Sequence, residues 1–337
     1  MEYPSLDKPK AGAFRFNTDT SQLEIYDGNQ WTGLLATSPE QQTGGTRAIF
    51  SGSYSPMNDA QCYINVDSSG TGKDFGDYVG TDRSASATCS SRTRGLILGG
   101  YPGSPATAGV NEIDCNIFAT TGSCFDFGNL TEAVRYAVGG GSETRGLRAG
   151  GYDGSRSEVI DYVTISSTGN AKDFGDISVS KFVFINGACN QTRTLFPAGA
   201  TPGYTNQIEY VTTATTGNAA DFGDQTVARG YCQGLTCNAT RGLFFSGSSP
   251  SSTNIIDYVT IPTLGNALDF GDMTYSSSGV ATACSPTRGV VAGGGPGPGR
   301  TNIEYVHIMT TGNSVDFGDL SYTAQYGTGI SNGHGGL

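Results

Sequence analysis

The 337-residue sequence predicts an all-β fold: a six-bladed β-propeller preceded by a small N-terminal β-meander. Three observations carry this. The tetrapeptide Asp-Phe-Gly-Asp recurs around Phe75, Phe174, Phe222, Phe270 and Phe317, and a sixth copy around Phe127 ends in Asn129. A Thr-Arg pair keeps step with it at Thr46, Thr93, Thr144, Thr192, Thr240 and Thr287. No stretch carries the 3.6-residue apolar stripe with caps that marks a helix.

The first element is residues 1–37, a meander outside the repeat. Phe14 and Phe16 alternate with polar neighbours, residues 17–21 turn, residues 23–26 alternate again, and Asp27-Gly28 turns back to Trp31. A three-stranded sheet this small is marginal alone. Its apolar positions Phe14, Phe16, Leu23, Ile25 and Trp31 are therefore expected to need cover and to anchor the chain to something else. Residues 38–45, rich in Pro, Gln and Gly, read as a linker.

Residues 46–337 form the propeller. Successive copies start 52, 47, 48, 48 and 47 residues apart, one supersecondary unit used six times. Each copy holds short apolar runs such as Gly-Leu-Phe-Phe-Ser-Gly at 242–247 and Ile-Ile-Asp-Tyr-Val-Thr-Ile at 255–261, bounded by Gly, Ser, Pro or Asn. Four short strands per copy make a blade. The final copy lacks its Thr-Arg, and the first Thr-Arg has no strand before it. A strand within residues 320–333 is therefore expected to complete the first blade and to hide the sheet edges of an open array.

The order of signals resembles the kelch repeat. An apolar strand ends in Gly99-Gly100, Gly150-Gly151 or Gly293-Gly294; then come a variable loop, an acidic-Tyr pair, Thr-Gly-Asn and an aromatic. Phe stands near the kelch Trp, and Ser51-Gly52, Ala198-Gly199 and Ser246-Gly247 replace the double glycine in three copies. The N-terminal segment is similar to a short module of tail-fibre and other virion proteins of tailed bacteriophages, through Gly12, residues 15–20, residues 23–26, Gly28 and Trp31. The propeller repeats resemble those of cyanophage structural proteins. These resemblances imply a virion structural protein of tail, fibre or capsid, made in the host cytoplasm. Its meander would hold other virion proteins and its propeller would meet a host-surface glycan or receptor, with homo-oligomers allowed. A non-viral kelch-like protein–protein adaptor is the alternative, and a polysaccharide-cleaving enzyme the minor one.

Net charge is −11 with no basic stripe, which argues against nucleic acid. No apolar run reaches the ~20 residues of a membrane span and the start lacks a secretory h-region, so synthesis in the cytoplasm and no membrane insertion are expected. Eight cysteines in such a chain read as free buried thiols. Cys189, Cys237 and Cys284 each precede Thr-Arg by three residues, and equivalent positions in different blades are expected to lie too far apart to pair.

Asp-Phe-Gly is not a kinase motif here: no phosphate loop or His-Arg-Asp accompanies it. Its Phe is expected to fill space between blades and its Gly-Asp to turn into the next one. The Asp pairs, one per blade, make a poor Ca²⁺ site. Arg241 of Thr-Arg and Asp257 of the acidic-Tyr pair are expected to form a buried ion pair. His307 and His334 have no metal spacing, and no catalytic box appears, so neither catalysis nor a cofactor nor a metal is expected. What varies between copies is the loop after the Gly-ended strand. Its Tyr54, Tyr101, Tyr152, Arg156, Tyr204 and Arg300 are the candidate ligand-binding residues.

Overall fold

The computed structural model describes residues 9–17, 22–33, 45–79, 82–103, 108–181, 185–201, 203–230 and 234–337. The chain divides into two compact units, Met1–Gln42 and Thr43–Leu337. Most of the expected linker lies outside the described residues. Among the described residues every regular element is a β-strand.

The small unit is a three-stranded antiparallel meander of β1 (Phe14–Asn17), β2 (Gln22–Tyr26) and β3 (Trp31–Gly33). The turn into β3 is closed by the Asp27 carboxylate, which accepts the N–H groups of Asn29 and Gln30. Register places Phe14 opposite Ile25 and Phe16 opposite Leu23, so these four share one face. Trp31 pairs with Tyr26 and belongs to the other face, where Arg15 lies 4.4 Å over its ring and binds Glu24 at 2.7 Å.

Among the described residues the large unit contains six sheets in chain order. The first is β28 (Thr328–Ser331), β4 (Arg47–Tyr54), β5 (Met57–Asn65) and β6 (Lys73–Asp77). The second runs β7 (Ala87–Ser90), β8 (Arg94–Gly100), β9 (Val110–Ile117), β10 (Phe125–Val134), and the third β11 (Val138–Gly141), β12 (Arg145–Ala149), β13 (Val159–Thr164), β14 (Lys172–Asp176). The fourth is β16 (Ala188–Cys189), β17 (Arg193–Phe196), β18 (Gln207–Thr212), β19 (Ala220–Asp224). The fifth is β20 (Gly234–Cys237), β21 (Arg241–Phe245), β22 (Thr253–Thr260), β23 (Leu268–Ser277), and the sixth β24 (Ala281–Cys284), β25 (Arg288–Ala292), β26 (Arg300–His307), β27 (Val315–Ala324). Neighbours are antiparallel, with one exception: β15 (Ile185–Asn186) adds to β11 in parallel before the chain passes Gly187 into β16. β28 pairs with β4, with Ser331 opposite Ala48, so the first sheet draws strands from the two ends of the large unit's sequence.

Burial falls along each sheet. In the sixth, every residue of β24 is buried, β25 is buried after Arg288, and β27 is buried only at Phe317, Leu320 and Ala324. The first strands therefore lie innermost. The repeated Phe is buried in all six sheets and packs on the following sheet: Phe127 with Val163 and Ile165, Phe222 with Val259 and Ile261, Phe270 with Val306 and Ile308. Phe317 of the sixth sheet packs with Ile64 and Val66 of the first.

Hydrogen bonds follow the same order. The carbonyls of Phe75, Phe127, Phe174, Phe222 and Phe270 accept from Gly122, Gly169, Gly217, Gly265 and Gly312 of the following sheet, and Phe317 accepts from Gly70 of the first. The Gly of Asp-Phe-Gly does not turn the chain, contrary to expectation. The Phe-Gly step is a β-bulge inside the outermost strand, visible where Ile208 faces Gly223 while Glu209 faces Asp221. The bulge brings Gly223 so close to the next sheet that an added Cβ would stand 2.5 Å from the Gly265 carbonyl oxygen. The Asn of Thr-Gly-Asn then accepts the N–H of the last Asp of the sheet before, as Asn218 does for Asp176 at 3.1 Å.

The expected Arg241–Asp257 pair does not form. Arg241 faces Thr260 and Asp257 faces Phe244, three positions along, so the two side chains leave opposite faces of the sheet. Arg241 instead donates to the Ile308 carbonyl of the sixth sheet at 3.2 Å and lies 4.6 Å over the Tyr258 ring. The other five do likewise: Arg47 to Phe118, Arg94 to Ile165, Arg145 to Thr213, Arg193 to Ile261, and Arg288 back to Val66.

Candidate functional site

Two places concentrate chemistry: the loops that follow the second strands, and the space between the first strands. At the loops, Tyr54 is exposed at the end of β4 and stacks near Tyr101 at 5.8 Å and Tyr326 at 5.7 Å. Tyr101 bridges Ser84, and Tyr152 bridges both Arg135 and Arg156. At the centre of the group is Arg135. Its guanidinium lies 4.7 Å from the Tyr101 ring, 5.1 Å from Tyr136 and 5.5 Å from Tyr152. Its Nε is buried without a hydrogen-bond partner, and among the described residues no carboxylate pairs with it.

The backbone beneath is strained. Ala85, Tyr136 and Tyr326 have φ of 53°, 61° and 55°, a left-handed conformation that side chains seldom adopt. They form a relay with Gly279: Tyr326 donates to Gly279, Ala85 to Tyr326, and Tyr136 to Ala85, at 2.8–3.0 Å. This relay holds Tyr136 and Tyr326 beside the loop tyrosines.

The structure thus gathers Tyr54, Tyr101 and Tyr152 and leaves the other candidates elsewhere. Arg156 reaches the carbonyls of Ala200 and Thr201, joining the loop of the third sheet to that of the fourth. Tyr204 bridges Ala200 and covers Gly230. Arg300 stacks 4.5 Å from the Tyr275 ring. Arg135, Tyr136 and Tyr326 were missed because they precede the first strand, not follow the second. Their signal was available: Ala85, Tyr136 and Gly279 each stand eight residues before a Thr-Arg.

Between the first strands, a cavity of about 40 Å³ is lined by one strand from each of the six sheets. Here the expectation that repeat-equivalent cysteines stand far apart fails. Cys189 Sγ lies 3.8 Å from Cys237 Sγ, and Cys284 is hydrogen-bonded to Cys237 on its other side. Strands that line one narrow cavity bring equivalent positions together. His334 joins them, with Nδ1 3.2 Å from Cys189 Sγ and Nε2–H donating to the Ser90 carbonyl at 2.9 Å. Cys237 accepts from the Cys189 thiol and the Cys284 thiol, so its own thiol is held well below the ordinary range. The remaining described cysteines are core groups: burial pushes Cys62 and Cys89 up, and Cys115 and Cys124 up to about 12. His307, by contrast, is exposed beside Tyr305.

No protein-family model matches the chain, and no curated protein matches it in sequence.

Proposed function

We propose that the chain is a six-bladed, kelch-like β-propeller that presents a recognition surface, and that it serves as a structural protein of a tailed-phage virion held in place by its meander. In support of the propeller, inter-sheet hydrogen bonds run in chain order and return from the sixth sheet to the first. Six innermost strands around one cavity fit the same architecture. The virion role rests on the tail-fibre-like segment around Arg15, Leu23 and Trp31 and on the cyanophage-like repeats.

The observation that carries the binding role is Arg135. A guanidinium boxed by tyrosine faces is stabilised as a cation by the rings. With no carboxylate partner among the described residues it keeps donors for an incoming anion, while the exposed Tyr54, seated against the buried Tyr101, offers a flat apolar face for a sugar ring. The ligand class is an acidic glycan of a bacterial surface.

The test is binding of the purified full chain to a panel of acidic and neutral bacterial envelope polysaccharides. Acidic members should be retained, and Arg135→Ala should weaken them at least ~10-fold, the size of one lost charge-assisted contact. Unchanged binding by Arg135→Ala would remove the site. Release of shortened chains would instead favour the enzyme reading, and failure to bind any polysaccharide would favour the adaptor.

A further inference from the structure

We propose that Cys189, Cys237, Cys284 and His334 form a zinc centre that ties three neighbouring sheets and the segment 332–337 together between the innermost strands of the large unit. The inference runs against the expectation from spacing, which found no metal motif. It stands on four observations independent of the ligand surface.

The first is donor geometry. One ligand atom from each of Cys189, Cys237 and His334 lies within 4.8 Å of the others. Tetrahedral zinc with Zn–S of ~2.3 Å and Zn–N of ~2.0–2.1 Å sets ligand atoms roughly 3.5–3.8 Å apart. The Sγ–Sγ separation of 3.8 Å matches, and Sγ–Nδ1 at 3.2 Å opens to it by a small movement of the His334 ring. Cys284 lies beside Cys237 on β24 but outside that three-residue group, bonded to the Ser331 hydroxyl, so its thiol must turn in to supply the fourth ligand.

The second is the tautomer. Nε2 donates its hydrogen to the Ser90 carbonyl, which leaves the lone pair on Nδ1, the atom facing the sulfurs. A ligating histidine is oriented in this way, by a carbonyl on its far nitrogen. Nδ1 also accepts the Gly336 N–H at 3.1 Å, a bond the metal would replace.

The third is space. The cavity of about 40 Å³ exceeds the ~10–15 Å³ that one water needs, and three of its walls, β16, β20 and β24, carry Cys189, Cys237 and Cys284. The fourth is the fit of the segment that brings His334. Leu337 is buried, Glu143 donates its N–H to Gly336, and Gln191 donates to the Leu337 carbonyl. A Cβ on Gly335 or Gly336 would collide with backbone carbonyls, so the segment is threaded through with no room to spare.

Thiolate, not thiol, is the ligand, so Zn²⁺ entry forms three Zn–S bonds and one Zn–N bond and releases three protons to solvent. The resulting charge of −1 is met by backbone donors, of which the Cys189 N–H to Cys237 Sγ at 3.3 Å is already in place. Thiolate and imidazole together select zinc over calcium or magnesium.

The experiment is metal analysis of the full chain after incubation with zinc sulfate and removal of excess metal. One zinc per chain is expected. Cys237→Ser and His334→Ala should each reduce it at least ~10-fold, the loss expected when a ligand or its support is removed. Cys89→Ser, whose thiol faces Gly146 and not the cluster, should keep it. Cobalt should give a sulfur-to-metal charge-transfer band, and chelation should lower the melting temperature of the unmutated chain, a readout that survives if a variant fails to fold. No bound metal, a metal content indifferent to His334→Ala, or a Cys189–Cys237 disulfide in freshly purified protein would overturn the proposal.

Discussion

The acid that recurs at one position of the third strand, in every sheet but the first, shows how single side chains bind one sheet to the next. Glu209 is buried in the fourth sheet and takes the Lys181 ammonium, which follows the third, at 2.8 Å. Asp257 takes Arg229 at 2.7 Å, Asp114 takes Arg83, and Asp161 takes Arg148 of its own sheet together with the Thr131 hydroxyl of the sheet before. Glu304 takes the hydroxyls of Thr274 and Ser314. The acids were plain in the sequence and their partners were not. Cations from three different kinds of position converge on them, and only strand register, with Asp257 and Arg241 on opposite faces, excludes the pairing that repetition suggested. For Glu209, burial pushes the carboxyl up, but Lys181 and two hydrogen bonds from Ser178 outweigh it, and the group ends below its ordinary value. The unfolded chain therefore takes up the proton first. The stability this pair contributes is full above the ordinary glutamate value near 4.5 and drains as pH falls through the lower folded value. Glu209→Gln leaves a buried ammonium without its counter-charge and should cost about 3–5 kcal/mol by urea denaturation at pH 7. It should also flatten the acid limb of the stability curve. A loss below ~1 kcal/mol would mean that water reaches Lys181 and that the pair is not buried.

At the scale of the element, the outermost strand carries the contact that repeats most faithfully. Its bulge turns the Phe ring inward and pushes the glycine backbone against the neighbouring sheet. The sequence showed which residues recur but misread the bulge as a turn, because Gly-Asp serves both and only pairing tells them apart. The cysteines were misread for a similar reason. Repeat spacing says that Cys189, Cys237 and Cys284 occupy one position in three sheets, yet not how near the centre that position lies. Arg135 escaped notice because it has no counterpart in the other copies. Gly223 and Gly217 together test the bulge. Both have positive φ, 144° and 153°, but an added Cβ at Gly217 meets nothing within 4 Å while one at Gly223 meets the Gly265 carbonyl. Gly217→Ala should carry only conformational strain of about 1 kcal/mol. Gly223→Ala adds a clash between sheets and should cost about 2 kcal/mol more. Equal losses in thermal denaturation would show that the sheets slide freely at the bulge.

At the scale of the whole molecule, two units of unequal means share one chain. The large unit buries aromatic and β-branched residues on both faces of most strands, at ~25 cal/mol per Å² of apolar area. The meander has three short strands and leaves Phe14 and Phe16 each 62% exposed and Leu23 43% exposed. Removal of residues 1–42 should therefore leave the melting temperature of Thr43–Leu337 unchanged. The two faces of the meander should then answer differently to mutation. Phe14 and Phe16, opposite Ile25 and Leu23, form an apolar face whose cover, on the virion reading, is a neighbouring protein of the particle. Trp31 was grouped with them from composition, but it stacks on Tyr26 at 5.3 Å beneath Arg15, so it supports the sheet from behind. Phe16→Asp should abolish incorporation into particles while the meander keeps its protease resistance, because a charge on an exposed face costs little until that face is buried. Trp31→Ala should abolish incorporation and protease resistance together, because it removes a stack and a cation–π contact worth about 1 kcal/mol each from a sheet with little to spare. Normal incorporation of Phe16→Asp would show that this face is not the attachment surface. A large unit that melts earlier without residues 1–42 would make the meander part of its core, and the anchoring role would then be withdrawn.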